Sequence, residues 1–383
     1  MEKKYKIIFL TGSFNMGGAE KHALSLANFY ANELKWEVEV WAWHAQSGRV
    51  IEICDGLNIK TRLIPKFFKF SKYFYNRQIN SYAKILKKEN VDIVMSFNNI
   101  PNVVATAVKK KANLKLHVWA QQGIDITGKI FNSSREKSIL KEVDCVISNS
   151  LNGQKYLVDQ HNFDKTKISI VQNGIIEPND ITPKNVWQKK LGIDASVFSA
   201  VMIANVTFMK DHQTLIKSWA RVVKKCAEIT PILYFAGRFD TATEECLSLV
   251  KDLGLTRNVI FLGGIKDVNG LIHSIDLAVL SSPTEGVPNA VLESMIQAKP
   301  FVGTDIPGIR EAVGEDNYQY LAPIKDDRKL SELILKFIDN KELREEVGSK
   351  NKAYVLERFR MDTLYTETHE IIMNELKRRN ERS

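Results

Sequence analysis

Leu277-Ala-Val-Leu-Ser281-Ser-Pro-Thr-Glu285-Gly-Val-Pro288-Asn-Ala-Val-Leu-Glu293-Ser-Met295 is the stretch on which the reading of this chain turns. The apolar run ending at Leu280 predicts a buried strand, the Ser/Pro/Thr/Gly run a loop, and the segment from Pro288 to Gln297 a helix. Pro288 suits the first helical position, because the N–H it lacks would be unpaired there. Backbone N–H groups of Asn289 and Ala290 would then leave the helix start, where the dipole favours a phosphate or sugar oxygen. Glu285 falls in the loop at the carboxyl end of a strand, where open α/β sheets bind ligands. Glu293 falls about a turn and a half into the helix, and its carboxylate can accept two hydroxyl hydrogen bonds from a ribose or sugar diol. The competing reading makes Glu285 a solvated loop residue and Glu293 an exposed helix residue.

Outward from this unit the same alternation repeats. Val197–Ala204, Ile232–Ala236, Val259–Leu262 and Phe301–Gly303 are further predicted strands, with helices near Gln213–Ala227 and Glu244–Leu253. The polar, two-proline stretch Asn173–Lys184 reads as a linker. Before it, Lys6–Thr11, Glu37–Trp43, Val91–Ser96, Leu114–Ala120, Cys145–Ser148 and Ile168–Val171 read as strands, and Ala19–Leu34 as an amphipathic helix. Strands separated by helices predict parallel βαβ units, so the expected fold class is α/β, with two Rossmann-like, doubly wound parallel-sheet domains facing an interdomain cleft.

Length and composition agree. The 383 residues suffice for about two domains, and 44% hydrophobic residues exclude disorder and collagen-like repeats. Four widely spaced cysteines, without C-x-x-C or histidine partners at metal-ligand spacing, argue against a disulfide scaffold or a zinc site and for a reducing compartment. The amino-terminal apolar run is too short for a signal peptide, and no stretch reaches the roughly 18 apolar residues of a membrane span. The expectation is a soluble, cytoplasmic protein whose membrane contact is peripheral, on the inner face of the cell membrane.

The formal charge of +9 is uneven, for residues 1–180 hold 26 Lys and Arg against 17 Asp and Glu. Residues 60–90 carry nine basic side chains and one acid, interleaved with Phe67, Phe68, Phe70, Tyr73, Phe74 and Tyr75. Lys66, Lys69, Lys72 and Arg77 are the candidate patch for an anionic membrane surface or acceptor. A solvated helix face over core aromatics is the bland alternative. No nucleic-acid recognition motif accompanies the charge.

Glu285-x7-Glu293 within Pro-Thr-Glu-Gly-Val-Pro-Asn-Ala-Val-Leu-Glu-Ser-Met, followed by Lys299-Pro-Phe-Val-Gly-Thr-Asp-Ile-Pro-Gly308, resembles the donor-binding signature of retaining glycosyltransferases of family 4. Met16-Gly-Gly-Ala-Glu20, Val171-Gln-Asn-Gly174 and Lys210-Asp-His-Gln-Thr-Leu-Ile216 extend the similarity over nearly the whole chain. The resemblance implies the GT-B fold, with an acceptor-binding domain at 1–180, joined by the carboxyl-terminal helix of about 360–383, and a nucleotide-sugar-binding domain at 185–358. It implies that Glu293 holds the ribose hydroxyls, Glu285 lies against the donor sugar, and Lys210 neutralises the diphosphate. Gly286, Val287, Pro288, Asn289 and Ala290 would complete the donor pocket, and Gly17 and Gly18 would bring backbone N–H groups to it. Alone, the Gly-Gly pair is also explained by a strand-to-helix turn, and Glu20 by the helix dipole.

Two departures stand out. Relatives often have Gly-Arg where this chain has Ala204-Asn205, and Asn205 brings donors but no charge. Where relatives carry a histidine after the fourth strand, the small residues align Gln121, a candidate sugar contact, while His117 reads as a buried strand residue. The implied activity is transfer from a nucleotide sugar, a UDP-sugar ahead of a GDP-sugar, to a glycan or lipid-linked acceptor in cell-surface polysaccharide synthesis. No cofactor or essential metal is expected, since no Asp-x-Asp is present. A nucleotide-sugar epimerase and a non-catalytic glycan-binding protein are the alternatives.

Overall fold

The apolar runs form two parallel sheets in a computed structural model that describes residues 4–44, 48–65, 75–123, 134–192 (side chains from 138), 194, 197–226 and 230–381. The first sheet contains β1 (Lys6–Leu10), β2 (Glu37–Ala42), β3 (Lys60–Leu63), β4 (Ile93–Phe97), β5 (Leu116–Gln121), β6 (Cys145–Ser148) and β7 (Ile168–Ile170) in the order β3-β2-β1-β4-β5-β6-β7. The second contains β8 (Ser199–Ile203), β9 (Ile232–Ala236), β10 (Val259–Gly263), β11 (Leu277–Leu280), β12 (Phe301–Thr304) and β13 (Leu321–Ala322) in the order β10-β9-β8-β11-β12-β13. Central strands are apolar without alternation: Ile7, Ile8 and Phe9 of β1 are all fully buried. Helices on both faces remove the solvent side that would call for polar residues. In each sheet the strand order reverses once, between β1 and β4 and between β8 and β11, and those crevices are where doubly wound sheets bind ligands.

The chain divides into two compact units, the first comprising Met1–Asn173 and Asp362–Ser383, the second Gly174–Met361. The stretch Asn173–Lys184 thus lies almost wholly in the second unit, where the Ile175 N–H donates to the Phe359 carbonyl at 2.9 Å. The helix Met361–Asn380 belongs, after its first residue, to the first unit. It buries Leu364, Ile372 and Leu376 there. Its Tyr365 ring stacks on Phe29 with centroids 4.6 Å apart, and the Tyr365 hydroxyl lies 2.9 Å from Ser25 Oγ.

Two strands went unforeseen, and both are sheet edges. β3 reads Lys-Thr-Arg-Leu, polar as an edge strand should be. Its Arg62 pairs with Glu89 at 2.9 Å and lies over the Trp41 ring at 4.9 Å, so one member of the basic cluster serves the fold. Lys66, Lys69 and Lys72 lie outside the described residues; Arg77 is exposed on the helix Tyr75–Lys88. Among the described residues no helix is long and apolar enough to cross a membrane.

Candidate functional site

In the second unit the site grows from the carboxyl ends of β8 and β11. After β8 the chain passes Ala204 and Asn205 into the short turn Phe208–Lys210, and Asp211, at φ +48°, opens the helix His212–Lys225. Asp211 caps that helix by accepting from Thr214 Oγ1 at 2.7 Å. The Ser281 hydroxyl, just past β11, is shared between the carbonyls of Asp211 at 2.9 Å and Lys210 at 3.2 Å. That bond fastens the Lys210 turn to the β11 loop, and there the Lys210 ammonium forms an ion pair with the Glu285 carboxylate.

The β11 loop is itself braced. A Cβ on Gly308, in the helix Pro307–Val313, would collide with the backbone oxygens of Gly286 and Glu285, so only glycine lets the helix approach so closely. Gly286, Val287 and Pro288 are buried, Asn289 and Ala290 half-buried, and Glu293 is 9% exposed. Pro288 is the cap preceding the helix Asn289–Met295, not its first residue, with φ −76° and ψ 117°. The helix is seven residues long and carries no acid in its first turn. The Asn205 side-chain oxygen accepts the Arg238 N–H at 3.1 Å. His212 is buried against Phe235, ring centroids 4.8 Å apart, and burial pushes its pKa down to about 4.

In the first unit Gly17 precedes the helix Gly18–Asn28 in extended conformation, and the Glu20 carboxylate reaches back to within 2.7 Å of where a Gly17 Cβ would stand. Glu20 is an acid in the first turn of that helix and is buried. Gln121 is 1% exposed: its oxygen accepts from Trp119 Nε1 at 2.8 Å and its nitrogen donates to the Gly123 carbonyl. Both ends of the Gln121 amide are thus engaged inside the unit, to Trp119 and Gly123. The next residue, Gln122, faces a polar cluster at the ends of β5, β6 and β7: its oxygen accepts from His22 Nδ1 at 3.0 Å and lies 3.4 Å from Asn149 Nδ2. Gln122 Nε2 and Asn149 Oδ1 are buried without a hydrogen-bond partner among the described residues. Burial pushes His22 down to about 4, so its ring is neutral. The Gln121-Gln122 dipeptide at a strand end was the available signal, since successive strand residues face opposite ways. His117, as expected, is a buried strand residue, with Nε2 2.7 Å from Ser96 Oγ and a pKa pushed to about 3 by burial.

A cavity of about 400 Å3 opens where β1 and β4 diverge, lined by Gly12, Trp43, His44, Asn98, Asn99, Ile100 and Pro101. Asn98 occupies φ +72°, ψ 159°, a conformation rare for a non-glycine residue. Among the described residues no three His, Cys, Asp or Glu side chains are grouped to hold a metal.

Comparison with known proteins draws on both units. Residues 16–176 match the family described as Glycosyltransferase Family 4, and residues 183–354 match Glycosyl transferases group 1. The chain is 26% identical over 306 residues to N-acetyl-alpha-D-glucosaminyl L-malate synthase of Bacillus anthracis, covering 77% of this chain and 78% of that one. It is 24% identical over 364 residues to the N-acetylgalactosamine-N,N'-diacetylbacillosaminyl-diphospho-undecaprenol 4-alpha-N-acetylgalactosaminyltransferase of Campylobacter jejuni, covering 92% and 94%. Among solved structures, Anabaena HepE in complex with UDP and glucose superposes with a TM-score of 0.83 at 18% identity, over 96% of this chain and 99% of that one. Two doubly wound sheets of this order, with both family matches in sequence along one chain, make the protein a glycosyltransferase of group 1 and family 4 with the GT-B fold.

Proposed function

We propose that the protein transfers a hexose or N-acetylhexosamine from a UDP-sugar, with retention of configuration, to a hydroxyl of a glycan or lipid-linked acceptor in cell-surface polysaccharide synthesis. The observation that carries this reading is the meeting of Lys210 and Glu285 at the carboxyl ends of β8 and β11, ahead of the helix that carries Glu293. Glu293 holds the ribose diol. Lys210 stabilises charge growing on the leaving diphosphate, and Glu285 lies against the sugar. The bond from the anomeric carbon to the diphosphate oxygen breaks as the acceptor oxygen bonds to the same face of that carbon. The acceptor proton passes to the leaving phosphate oxygen, so no side-chain base and no metal is needed.

UDP is favoured because solved relatives were captured with UDP or UDP-glucose. A lipid-diphosphate acceptor is favoured by the Campylobacter transferase and by the UDP-Gal:alpha-D-GlcNAc-diphosphoundecaprenol alpha-1,3-galactosyltransferase of Escherichia coli. The acceptor would enter by the first unit, whose cavity at β1 and β4 offers Asn98 and Asn99 amides to hydroxyls. The basic segment of the first unit would hold the enzyme at an anionic membrane on the cytoplasmic side.

The test is transfer from a panel of UDP- and GDP-sugars to a polyprenyl-diphosphate sugar, with and without EDTA, and NMR assignment of the new linkage. Retained configuration without added metal is expected. An inverted product, or no binding of any nucleotide sugar, sinks the reading.

A further inference from the structure

Arg238 follows Gly237 at the carboxyl end of β9, beside the end of β8. Its backbone is held from both neighbouring strands. The Arg238 N–H donates to the Asn205 side-chain oxygen at 3.1 Å, and the Val206 N–H donates to the Arg238 carbonyl at 3.0 Å. On the other side the Gly237 N–H donates to the Gly263 carbonyl at 2.9 Å. A Cβ on Gly237 would collide with the Ala204 carbonyl, so the β9 end is pressed onto the turn leading to Lys210. The Arg238 stem lies over Gly264, its Cγ 3.6 Å from where a Gly264 Cβ would stand.

The backbone is fixed, whereas the side chain is unspent. Arg238 is exposed, and its guanidinium makes no hydrogen bond or ion pair with any described residue. Arg310 and Arg221 of this unit are matched, by Asp305 and Asp327, while Arg257 and Arg358, like Arg238, pair with no described residue. Lys210 is matched as well, by Glu285. A nucleoside diphosphate brings more than one negative charge to the carboxyl end of β8, and Asn205 offers it none in return. A planar guanidinium on a rigid backbone, one strand from the Lys210 turn, is chemistry suited to phosphate oxygens.

We propose that Arg238 binds the diphosphate of the nucleotide donor, with Asn205 as the anchor that holds its backbone in place. The proposal rests on the donor site read above. The two cations then divide the work, Lys210 releasing Glu285 as it meets phosphate and Arg238 meeting it from the β9 side.

Calorimetric titration of the full chain with UDP and with uridine, for wild type, Arg238→Gln, Arg238→Lys, Asn205→Ala and the Asn205→Ala/Arg238→Gln pair, decides it. Arg238→Gln is expected to lose on the order of tenfold in UDP affinity while uridine binding is unchanged. Arg238→Lys should recover part of that loss. Asn205→Ala should weaken UDP binding in the wild-type background and add nothing once Arg238 is gone, because its effect passes through that residue. Equal UDP binding by wild type and Arg238→Gln overturns the proposal and leaves the donor site standing. A parallel loss of uridine and UDP also overturns it, placing Arg238 on the nucleoside. If wild type binds no nucleoside diphosphate at all, the donor-site reading fails and takes the proposal with it.

Discussion

Lys210 and Glu285 stand 75 positions apart in sequence, yet their charged ends are paired. Each is partly buried, at 30% and 12% side-chain exposure, so each keeps the other from standing as an uncompensated charge. On the proposed reading, a diphosphate would offer Lys210 a stronger partner and free Glu285 beside the sugar. Lys210→Ala is therefore expected to lower kcat/KM by on the order of 100-fold, the usual scale for removing one preorganised group that meets transition-state charge. Steady-state transfer assays measure it, and a rate near wild type would remove Lys210 from the mechanism.

Glu293 makes a separable contribution. If its carboxylate accepts from the ribose hydroxyls, Glu293→Gln should weaken UDP binding by roughly tenfold, the worth of one charge-assisted hydrogen bond. Binding of 2′,3′-dideoxy-UDP, which lacks both hydroxyls, should be the same for wild type and variant. A loss of equal size for both nucleotides would show that Glu293 supports the fold and not the ribose.

Gly308 tests how rigidly Glu285 is held. Gly308→Ala forces a Cβ into the backbone of Glu285 and Gly286, and neither backbone oxygen can rotate away. Overpacking of this kind costs about 1–3 kcal/mol. The expected result is a lowered melting temperature together with slower transfer, because relief of the clash moves the loop that carries Glu285. Unchanged turnover in a destabilised variant would mean that the loop position tolerates adjustment.

Three histidines make stability depend on acid. Burial pushes His22 to about 4, His117 to about 3 and His212 to about 4, all below the unfolded value of 6.5. Between those values the unfolded chain binds protons that the folded chain refuses. Stability is therefore full above about pH 6.5 and falls as pH drops below it, by about 1.4 kcal/mol per pH unit for each histidine. Urea melts at about pH 7 and about pH 5 should show the loss, and His117→Gln should reduce its slope. Equal stability at both values would contradict the neutral, buried state of these rings.

Much of this was legible in sequence because buried parallel strands write themselves as apolar runs: Cys145–Ser148, Ile232–Ala236 and Leu277–Leu280 are strands with the bounds read from the chain. The edges were not legible. Lys60–Leu63 looked like charge, and Leu321–Ala322 is too short to show a period. At the site, residue types around a strand's carboxyl end pointed to Glu285 and Glu293, and the resemblance to Lys210, but the pairing of Lys210 with Glu285 arises from Ser281 joining separate loops. The engagement of Gln121 by Trp119 and Gly123 was not legible, because it depends on how the strand end turns and not on the dipeptide itself. Of the alternatives open from sequence, an epimerase and a non-catalytic binding protein both yield to membership in a glycosyltransferase family.

The second unit is threaded into the first, whose last helix is residues 361–380. A ribosome delivers the chain from its amino end, so the donor-site unit is complete and able to fold while its partner still lacks a piece. Until Tyr365 and His369 emerge, Phe29, Tyr30 and Trp36 have no cover on that side. Synthesis thus leaves an aromatic surface open for the time it takes to translate the whole second unit, and the emergence of Tyr365 and His369 closes it.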